Sequence, residues 1–301
     1  MAKEMKKIFI VDYVKGDSAY STIWYKLFLS GCRRSRSPRS ADLLLLNRWH
    51  PVTKFPKPII YFIDDLLWKL PQGYHPCSLQ QLQDMTYWLY QSIRVVASTP
   101  YLATWLSLAM GVDVDALTVS LPDGVFRPDI LSSNKGNKNG VVLSVGFYAH
   151  DHDIRDSGLW RCWGRLQRIY SVQVLGKSRL LGVHNSRPYS QYLTALRQFK
   201  LGLIPLQDHP FNYAKTVLKF LEYVVSGVVP IFSEIKAGEY AKLARKFPEL
   251  VVKNGEWISV ISRVLPKVEQ LWPKLFRYCY DYHRHSVTSQ EWDRILRRID
   301  V

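Results

Sequence analysis

The stretch FNYAKTVLKFLEYVVSGVVPIFS (residues 211–233), with the apolar run LGLIPL (residues 201–206) just before it, decides the fold. The first run is short, apolar and without periodicity, which is typical of a strand buried on both faces of a parallel sheet, and VVPIF near the end repeats that character. Asn212 suits a helix start and Gly227 a left-handed helix end, so a helix is expected over residues 214–226. The sequence therefore predicts a strand, helix, strand unit whose helix begins at the carboxyl end of a parallel strand.

One face of the predicted helix carries charged side chains. Lys215, Lys219 and Glu222 are spaced by four and then three and so share that face, close to the free N–H groups of the first turn. Open α/β sheets bind ligands at this position. The cations suit a diphosphate, and the carboxylate suits a pair of sugar hydroxyls. A solvated helix face with an ordinary Lys-to-Glu pair is the alternative that spacing alone leaves open.

The same segment resembles the donor-binding motif of family-4 glycosyltransferases. The matching residues are Pro205, Leu206, Phe211, Asn212, Lys215, Thr216, Leu218, Lys219, Glu222, Tyr223, Gly227, Val229, Pro230 and Ser233. The resemblance implies an α/β protein of the GT-B type, with two Rossmann-like domains facing a cleft. It also implies transfer of a sugar from a nucleotide donor, UDP- or GDP-linked, with retention of configuration and with no metal or other cofactor.

By this resemblance the donor is held by the segment itself. Glu222 would hold the ribose of the nucleotide, and Lys215, Lys219 and Thr216 would contact the donor. Ala214 stands where many members of the family carry a second Glu near the transferred sugar. Asn212 or Lys215 is expected to substitute for that carboxylate.

Three glycines are expected to border the donor. Gly176 closes a predicted strand at 172–176, where the lack of a side chain would let the nucleotide base lie against the backbone. Gly16 follows the first predicted strand, and in the resembling family this loop borders the cleft; an ordinary turn is the alternative. Gly146 belongs to a further matching element of the family, after the strand predicted at 141–147.

A run of alternating His and Asp at 150–153 follows that strand. His150, together with Asp153 and Ile154, matches a motif of the same family, which implies that His150 faces the donor and takes part in catalysis. A metal site is the alternative reading, but no third ligand lies nearby in sequence, and no metal is predicted.

The length of 301 residues suits two domains, each able to bury its own core. We expect an N-terminal, acceptor-side domain at 1–131, a polar linker at 132–140 and a nucleotide-sugar-binding domain at 141–285. A final helix at 286–301 is expected to cross back onto the N-terminal domain, as is common in GT-B proteins.

Two carboxylates follow a predicted strand at 58–63. Asp64 and Asp65 would lie at its carboxyl end, where they could accept hydrogen bonds from an acceptor hydroxyl, act as a base, or cap a following helix. We favour hydroxyl binding or capping over a catalytic base.

The chain is strongly basic. Its 41 Lys and Arg against 25 Asp and Glu give a net charge of +16, which predicts affinity for a polyanion: nucleic acid, an anionic membrane face or an acidic glycan. Arg33, Arg34, Arg36 and Arg39 lie in a stretch without acids after a helix predicted at 21–30. We expect them to contact the acceptor or a membrane, with a solvated loop as the alternative.

These features leave three functional hypotheses. The first is a glycosyltransferase whose acceptor is a surface polysaccharide or a lipid-linked glycan. The second is a glycosyltransferase acting on modified bases of DNA, and the third is a non-catalytic binding protein of the same fold. The sequence has neither G-x-G-x-x-G after a strand nor G-x-x-x-x-G-K-[ST], which argues against dinucleotide and ATPase chemistry.

Three further expectations concern the cellular location, the cysteines and the C-terminal segment. No apolar run approaches about 18 residues and the start leads directly into a strand, so we expect a cytoplasmic protein with peripheral association at the inner membrane face. Four cysteines without paired spacing indicate free thiols. Residues 257–282 are predicted as helices interrupted at Pro266 and Pro273, followed by a solvated helix end at 283–285 and a helix capped near Thr288.

Overall fold

The computed structural model describes residues 6–11, 19–30, 32–47, 49–72, 74, 77–130, 140–145, 151–185 and 187–299. Over these residues the chain forms two six-stranded sheets, the first built before residue 117 and the second after residue 139. This confirms the predicted α/β architecture with two Rossmann-like sheets. The predicted linker lies outside the described residues except for Gly140, which begins the second sheet.

The N-terminal sheet is parallel throughout. Its strands, in chain order, are β1 (Lys7–Val11), β2 (Arg33–Arg34), β3 (Leu43–Asn47), β4 (Ile59–Ile63), β5 (Arg94–Ala97) and β6 (Val114–Ala116). They lie side by side in the order β2-β1-β3-β4-β5-β6. Every residue of β4 is buried, because helices cover both faces of the sheet. Beyond β6, Leu121 forms an isolated bridge with Arg284.

Three helices belong to this sheet: α1 (Ala19–Phe28), α2 (Leu79–Gln91) and α3 (Pro100–Met110). Ser78 and Gln81 form a capping box at the start of α2. Pro100 begins α3 and Gly111, at φ 67°, ends it, which is the usual placement of proline and glycine at helix ends.

The C-terminal sheet is parallel except at one edge. Its strands are β7 (Gly140–Val145), β8 (Ser171–Ser178), β9 (Val183–Asn185), β10 (Leu201–Ile204), β11 (Val229–Ser233) and β12 (Val251–Val252), in the order β12-β11-β10-β7-β8-β9. The unpredicted strand β9 pairs antiparallel with β8. β10 and β11 are buried along their whole length, which confirms the two strands of the deciding stretch.

The remaining helices follow in chain order. They are α4 (Asp151–Asp156), α5 (Leu159–Ile169), α6 (Tyr189–Leu196), α7 (Pro210–Tyr213), α8 (Leu218–Val225), α9 (Gly238–Lys246), α10 (Trp257–Val264), α11 (Val268–Tyr282) and α12 (His285–Arg297). Pro266 falls in a short 3₁₀ turn, but α11 continues through Pro273, so the expected interruption there is wrong. None of the described helices is long and apolar enough to cross a membrane.

The helix predicted at 214–226 is shorter than expected, and a separate turn precedes it. The chain makes the single turn α7, leaves helical geometry, and starts again at Leu218 as α8. Asn212 does not cap a helix: its side-chain amide donates to the carboxylate of Asp153 at 2.6 Å, and His209 occupies the N-cap position of α7. Gly227, at φ 80°, ends α8 in the expected left-handed conformation.

The C-terminal helix α12 packs on α1 of the N-terminal half, as predicted. Trp292 is fully buried, its indole N–H donates to the carbonyl of Phe28 at 2.9 Å, and the two rings lie 5.0 Å apart. The segment leading into this helix is not solvated: His283 is 4% exposed and its Nδ1 lies 2.8 Å from the carbonyl oxygen of Val119. Thr288 is buried within α12 instead of capping it, and its hydroxyl bonds to that of Ser120.

We predict that Trp292→Ala lowers the free energy of unfolding by about 3–5 kcal/mol, because it leaves a large cavity between α12 and α1 and an unpaired carbonyl at Phe28. Urea unfolding followed by circular dichroism measures the loss. Trp160→Ala is the matched control: Trp160 is 42% exposed on α5, so its removal should cost no more than about 1 kcal/mol. Equal losses of unfolding free energy in the two variants would show that the packing of α12 on α1 does not stabilise the fold.

Candidate functional site

A cavity of about 290 Å³ lies between the carboxyl ends of the two sheets. The N-terminal half contributes Trp24, Asp64, Asp65 and Tyr74, and the C-terminal half contributes Leu143, Ser144, Val145, Ile204, Pro205, Leu206, Phe211, Lys215, Thr216, Leu218, Lys219, Glu222 and Tyr240. Ligand sites of open α/β folds form at this edge, because strand ends and helix starts converge there. The cavity therefore brings together most of the predicted donor-side residues and two of the predicted acceptor-side residues.

A fully buried carboxylate, Asp153, organises the loop between β10 and α8. Its Oδ1 accepts from the amide N–H of Gln207 at 2.9 Å and from the side chain of Asn212 at 2.6 Å. Its Oδ2 lies 3.6 Å from the ammonium group of Lys215. Asp153 thus fixes both ends of the loop and the cation that the loop carries into the cavity.

Lys215 and Thr216 lie in this loop, immediately before α8, and not on the helix itself. The ammonium group of Lys215 also lies 4.8 Å from the centre of the Phe211 ring, a cation–π contact. The first residues of α8, Leu218 and Lys219, line the cavity as well. A positively charged side chain and a helix start therefore face the same small volume.

Lys219 forms part of the cavity wall. Its ammonium group donates to the carbonyl of Ser144, at the end of β7, at 2.7 Å. Burial, and after it the neighbouring charge of Lys215, lowers the pKa of Lys219 to about 8. The site thus holds two cations close together, an arrangement that an anionic ligand would stabilise.

Glu222 is the buried acid of the site. It is 6% exposed, and the hydroxyl of Tyr192 donates to its Oε2 at 3.2 Å. The hydroxyl oxygens of Tyr192 and Ser144 lie 2.8 Å apart, so a chain of hydroxyls leads from the carboxylate to β7. Burial raises the pKa of Glu222 to about 7, in spite of the opposing effects of Tyr189, Lys219 and Tyr192.

The N-terminal half supplies two carboxylates to the opposite wall. Asp64 and Asp65 follow β4, line the cavity and do not cap a helix, since the next described helix is α2, at Leu79. The capping alternative is therefore wrong, and a position suited to a hydroxyl-bearing ligand remains. The ring of Tyr74, also on this side, lies 5.4 Å from that of Phe211 across the cavity.

Contacts beside the cavity join the two halves. The hydroxyl of Thr99, at the start of α3, donates to the carbonyl of Ala214 at 3.0 Å, and the rings of Tyr101 and Tyr213 meet edge to face at 5.6 Å. Ala214 is fully buried against the N-terminal core. This explains why alanine stands there: a glutamate side chain would be forced into the apolar contact between the halves.

Two of the predicted donor residues lie elsewhere. Asn212 is fully buried and does not line the cavity; it acts on the site through Asp153. Gly176 is required by the packing of the two strands. Its φ is 118°, and a Cβ there would lie 1.6 Å from the carbonyl oxygen of Val145 on the neighbouring strand. Only glycine allows β8 to approach β7 so closely, so its presence is explained without a bound nucleotide base.

The four arginines assigned to the acceptor side are also remote from the cavity. Arg33 and Arg34 form β2, where they pair with Lys7 and Ile8 at the amino end of β1. Because the cavity lies at the carboxyl ends of the strands, the segment 33–39 is at the opposite end of the N-terminal sheet. Gly16, Gly146 and His150 lie outside the described residues.

Sequence reasoning missed the clamp at Asp153 and the hydroxyls around Glu222. Asp153 could have been suspected from its position. It lies in α4, the helix that follows the buried strand β7, and the deciding stretch starts its own helix at the same edge of the sheet. Tyr192 carries no such signal, since it lies on a separate helix. No group of three or more His, Cys, Asp or Glu among the described residues is arranged to hold a metal ion.

The sequence matches no family model and no curated protein. The structure is similar to solved structures of glycosyltransferases. Sucrose-phosphate synthase from Thermosynechococcus elongatus superposes with a TM-score of 0.62 at 14% identity, over 96% of this chain and 80% of that one. An alpha-glucosyltransferase in complex with UDP-glucose and DNA containing an abasic site gives 0.60 at 9% identity, over 98% and 100% of the chains. Trehalose 6-phosphate synthase from Burkholderia multivorans gives 0.53 at 13% identity, over 95% and 83%. The chain therefore has the GT-B fold.

Proposed function

We propose that the protein is a glycosyltransferase that moves a sugar from a nucleotide-sugar donor to a hydroxyl group of an acceptor. The observation that carries the proposal is the cavity itself, where Lys215, Lys219 and Glu222 face Asp64 and Asp65 across the two sheets. The GT-B fold supports it, because the similar structures are those of sugar-transferring enzymes. A fold alone hosts several functions, so the argument rests on the site.

The proposed chemistry is stabilisation of the leaving group. As the bond between sugar and diphosphate breaks, negative charge builds on the phosphate oxygens. Lys215, Lys219 and the N–H groups at the start of α8 would face that charge across the cavity. Because Asp153 holds Lys215 in place beforehand, little reorganisation is needed when the charge develops.

The donor would bind along the C-terminal wall. Glu222 would accept hydrogen bonds from the two ribose hydroxyls, with Thr216 close to the phosphates. UDP or GDP is the nucleotide we propose; a bound UDP in similar alpha-glucosyltransferase structures favours the first. The motif around Glu222 suggests the family-4 group and transfer with retention of configuration.

The acceptor would approach from the N-terminal wall. Asp64 or Asp65 would accept a hydrogen bond from its reacting hydroxyl and orient it toward the sugar. We propose a surface polysaccharide or a lipid-linked glycan as the acceptor. DNA belongs among the acceptors to be tested, because the chain carries a charge of +16 and a similar structure contains DNA.

The test is a screen of nucleotide sugars for release of free nucleotide, followed by mass spectrometry, with glycan, lipid-linked glycan or modified DNA added in parallel. Release from one donor, increased by one class of acceptor, supports the proposal. Binding of a nucleotide sugar without any release would identify a non-catalytic binding protein.

We predict that Glu222→Ala weakens donor binding by about 10- to 100-fold, the loss expected for hydrogen bonds to a charged acceptor. The fold should be retained, which thermal unfolding checks. Calorimetric titration with the preferred nucleotide sugar measures the affinity. Glu239→Ala, on α9, is the matched control, because the carboxylate of Glu239 pairs with Lys242 at the surface. Unchanged affinity in Glu222→Ala would remove the ribose contact from the proposal.

Donor affinity should be greatest between pH 7 and 8. Below the pKa of about 7, Glu222 is protonated and accepts hydroxyl hydrogen bonds less well. Above the pKa of about 8, Lys219 loses its charge and its attraction for phosphate. Glu222→Gln should flatten only the acid side of the profile and Lys219→Met only the alkaline side. An unchanged profile in both variants would contradict this assignment.

Nucleotide release should not depend on added metal, because cationic side chains and a helix start are proposed to neutralise the diphosphate. The measurement is the rate of release in the presence of EDTA, with inorganic Mn²⁺ or Mg²⁺ restored in a second sample. A loss in EDTA that either metal reverses would overturn the metal-independent mechanism and direct attention to residues 150–153.

A further inference from the structure

The loop between β2 and β3 has a regular construction that the proposed reaction does not use. Its sequence from residue 33, RRSRSPRS, alternates arginine with serine. The hydroxyl oxygens of Ser35 and Ser40 lie 2.7 Å apart, those of Ser37 and Ser40 lie 2.9 Å apart, and Ser35 also donates to the carbonyl of Ser37 at 2.9 Å. The serines therefore bind one another within the loop and favour one shape for it.

The arginines of this loop point the other way. Arg33, Arg34, Arg36 and Arg39 are all exposed, whereas Ser35 is 6% exposed. Arg36 and Arg39 lie between serines of the network and beside Pro38, which restrict their backbone, and Arg33 and Arg34 are held by the pairing of β2 with β1. We call residues 33–40 the arginine loop.

The C-terminal helix extends the same basic surface. Cys32, directly before the loop, lies beside Trp292 and Asp293: burial, and after it the charge of Asp293, raises the pKa of the Cys32 thiol to about 11. Arg294 and Arg297 are exposed on the following turn of α12. None of these six arginines is paired with a carboxylate among the described residues, although the neighbouring Arg298 contacts Asp115 at 3.3 Å.

Unpaired guanidinium groups in a fixed arrangement are suited to an anionic ligand with repeated charges. Arginine binds carboxylate, sulfate or phosphate through two parallel hydrogen bonds, and a fixed set of arginines loses little entropy when it does so. A solvated loop needs no internal serine network. The arginine loop and α12 therefore have the features of a polyanion-binding surface.

The residues on this surface distinguish among polyanions. The exposed large apolar side chains lie elsewhere, for example Leu79, Leu108 and Trp160, so among the described residues this surface offers nothing to insert into a membrane. It also has no exposed aromatic ring on which a single-stranded nucleic acid could stack. A linear acidic glycan requires neither.

The distance of this surface from the cavity also limits which polyanion can contact both. It lies at the amino end of β1, roughly 13 Å from the cavity edge along a five-residue strand, so one ligand must bend around the N-terminal half to reach both. Duplex DNA is stiff over about 150 base pairs and does not bend in this way unaided. A flexible glycan chain does.

We propose that the arginine loop, with Arg294 and Arg297, is an anchoring site for a linear acidic polysaccharide, which it holds at a distance from the cavity. This inference rests on the proposed function for its purpose, since it makes the anchored glycan the acceptor whose end enters the cavity. Binding of the glycan to this surface requires neither a bound nucleotide sugar nor catalysis.

The test compares two variants that each lose three exposed arginines. The first is Arg34→Gln, Arg36→Gln and Arg39→Gln in the loop, and the control is Arg161→Gln, Arg165→Gln and Arg168→Gln on α5, which are equally exposed. The probe is polygalacturonate, with neutral dextran, a 20-base-pair duplex and vesicles containing phosphatidylglycerol alongside. We expect the dissociation constant for polygalacturonate to rise by about tenfold in the loop variant and by less than about twofold in the control.

Equal losses in the two variants would overturn the proposal, since net charge alone would then explain the affinity. A loss greater for the duplex or for vesicles than for polygalacturonate would also overturn it, in favour of that partner. A loss confined to polygalacturonate, with dextran unbound throughout, supports it.

A second variant keeps every charge. Ser35→Ala, Ser37→Ala and Ser40→Ala together remove the network that holds the loop, and they should weaken polygalacturonate binding at least about threefold, because the arginines must then be ordered on binding. Unchanged binding would contradict a pre-organised site. Thermal unfolding checks that each variant is folded.

Donor affinity separates this inference from the proposed function. The loop variants should bind and hydrolyse the nucleotide sugar as the parent does, and should raise the KM of a long acidic acceptor but not of a short one. If no nucleotide sugar is ever hydrolysed, the proposed function fails while polygalacturonate binding still tests the arginine loop.

Discussion

The site depends on one buried carboxylate. Asp153 is fully inaccessible, and an isolated charge in that position would cost several kcal/mol. The structure compensates it with an amide N–H from Gln207, the side chain of Asn212 and the ammonium group of Lys215. Each of these partners belongs to the loop between β10 and α8, so satisfying the charge also fixes the loop. Removing Asp153 would leave the ammonium groups of Lys215 and Lys219 close together without the carboxylate that contacts Lys215.

The loop held by Asp153 occupies the first residues of the helix that the sequence predicts. Residues 214–226 have helical spacing, and Gly227 ends the helix where expected. Spacing does not show that residues 214–217 form a loop, in which Lys215 contacts the carboxylate of Asp153 from a distant part of the chain. Local propensity indicates a helix, but contacts between distant residues are not visible in it.

The buried strands of both sheets could be predicted because each is a short apolar run between turn residues, as at 201–206 and 58–63. Gly111 and Gly227 mark helix ends for a backbone reason, and both lie at positive φ. At Gly176 a nucleotide base is expected from the sequence, whereas the group that lies against this residue in the structure is the carbonyl of Val145. Sequence shows that a side chain is missing without showing what takes its place.

The contact between the halves explains the departure at Ala214. Its carbonyl accepts from Thr99 and its methyl group packs into the N-terminal core, so this position belongs to the joint between the halves and not to the ligand. The carboxylates that face the cavity come instead from Glu222 on one wall and from Asp64 and Asp65 on the other. A motif that covers one strand and one helix cannot show which carboxylates face the cavity, because the second wall is built from residues about 150 positions earlier.

The net charge of the chain is a second property from which the binding surface cannot be located. A net charge of +16 indicates a polyanionic partner, but it does not say where on the molecule that partner binds. The structure separates two groups of cations at opposite ends of the N-terminal sheet. Those at the cavity are few and half-buried, and one of them has a lowered pKa, which suits a small diphosphate. Those at the arginine loop are exposed. The exposed group can attract a long ligand from solution, while the half-buried group acts only on what has entered the cavity; a single basic surface could not do both.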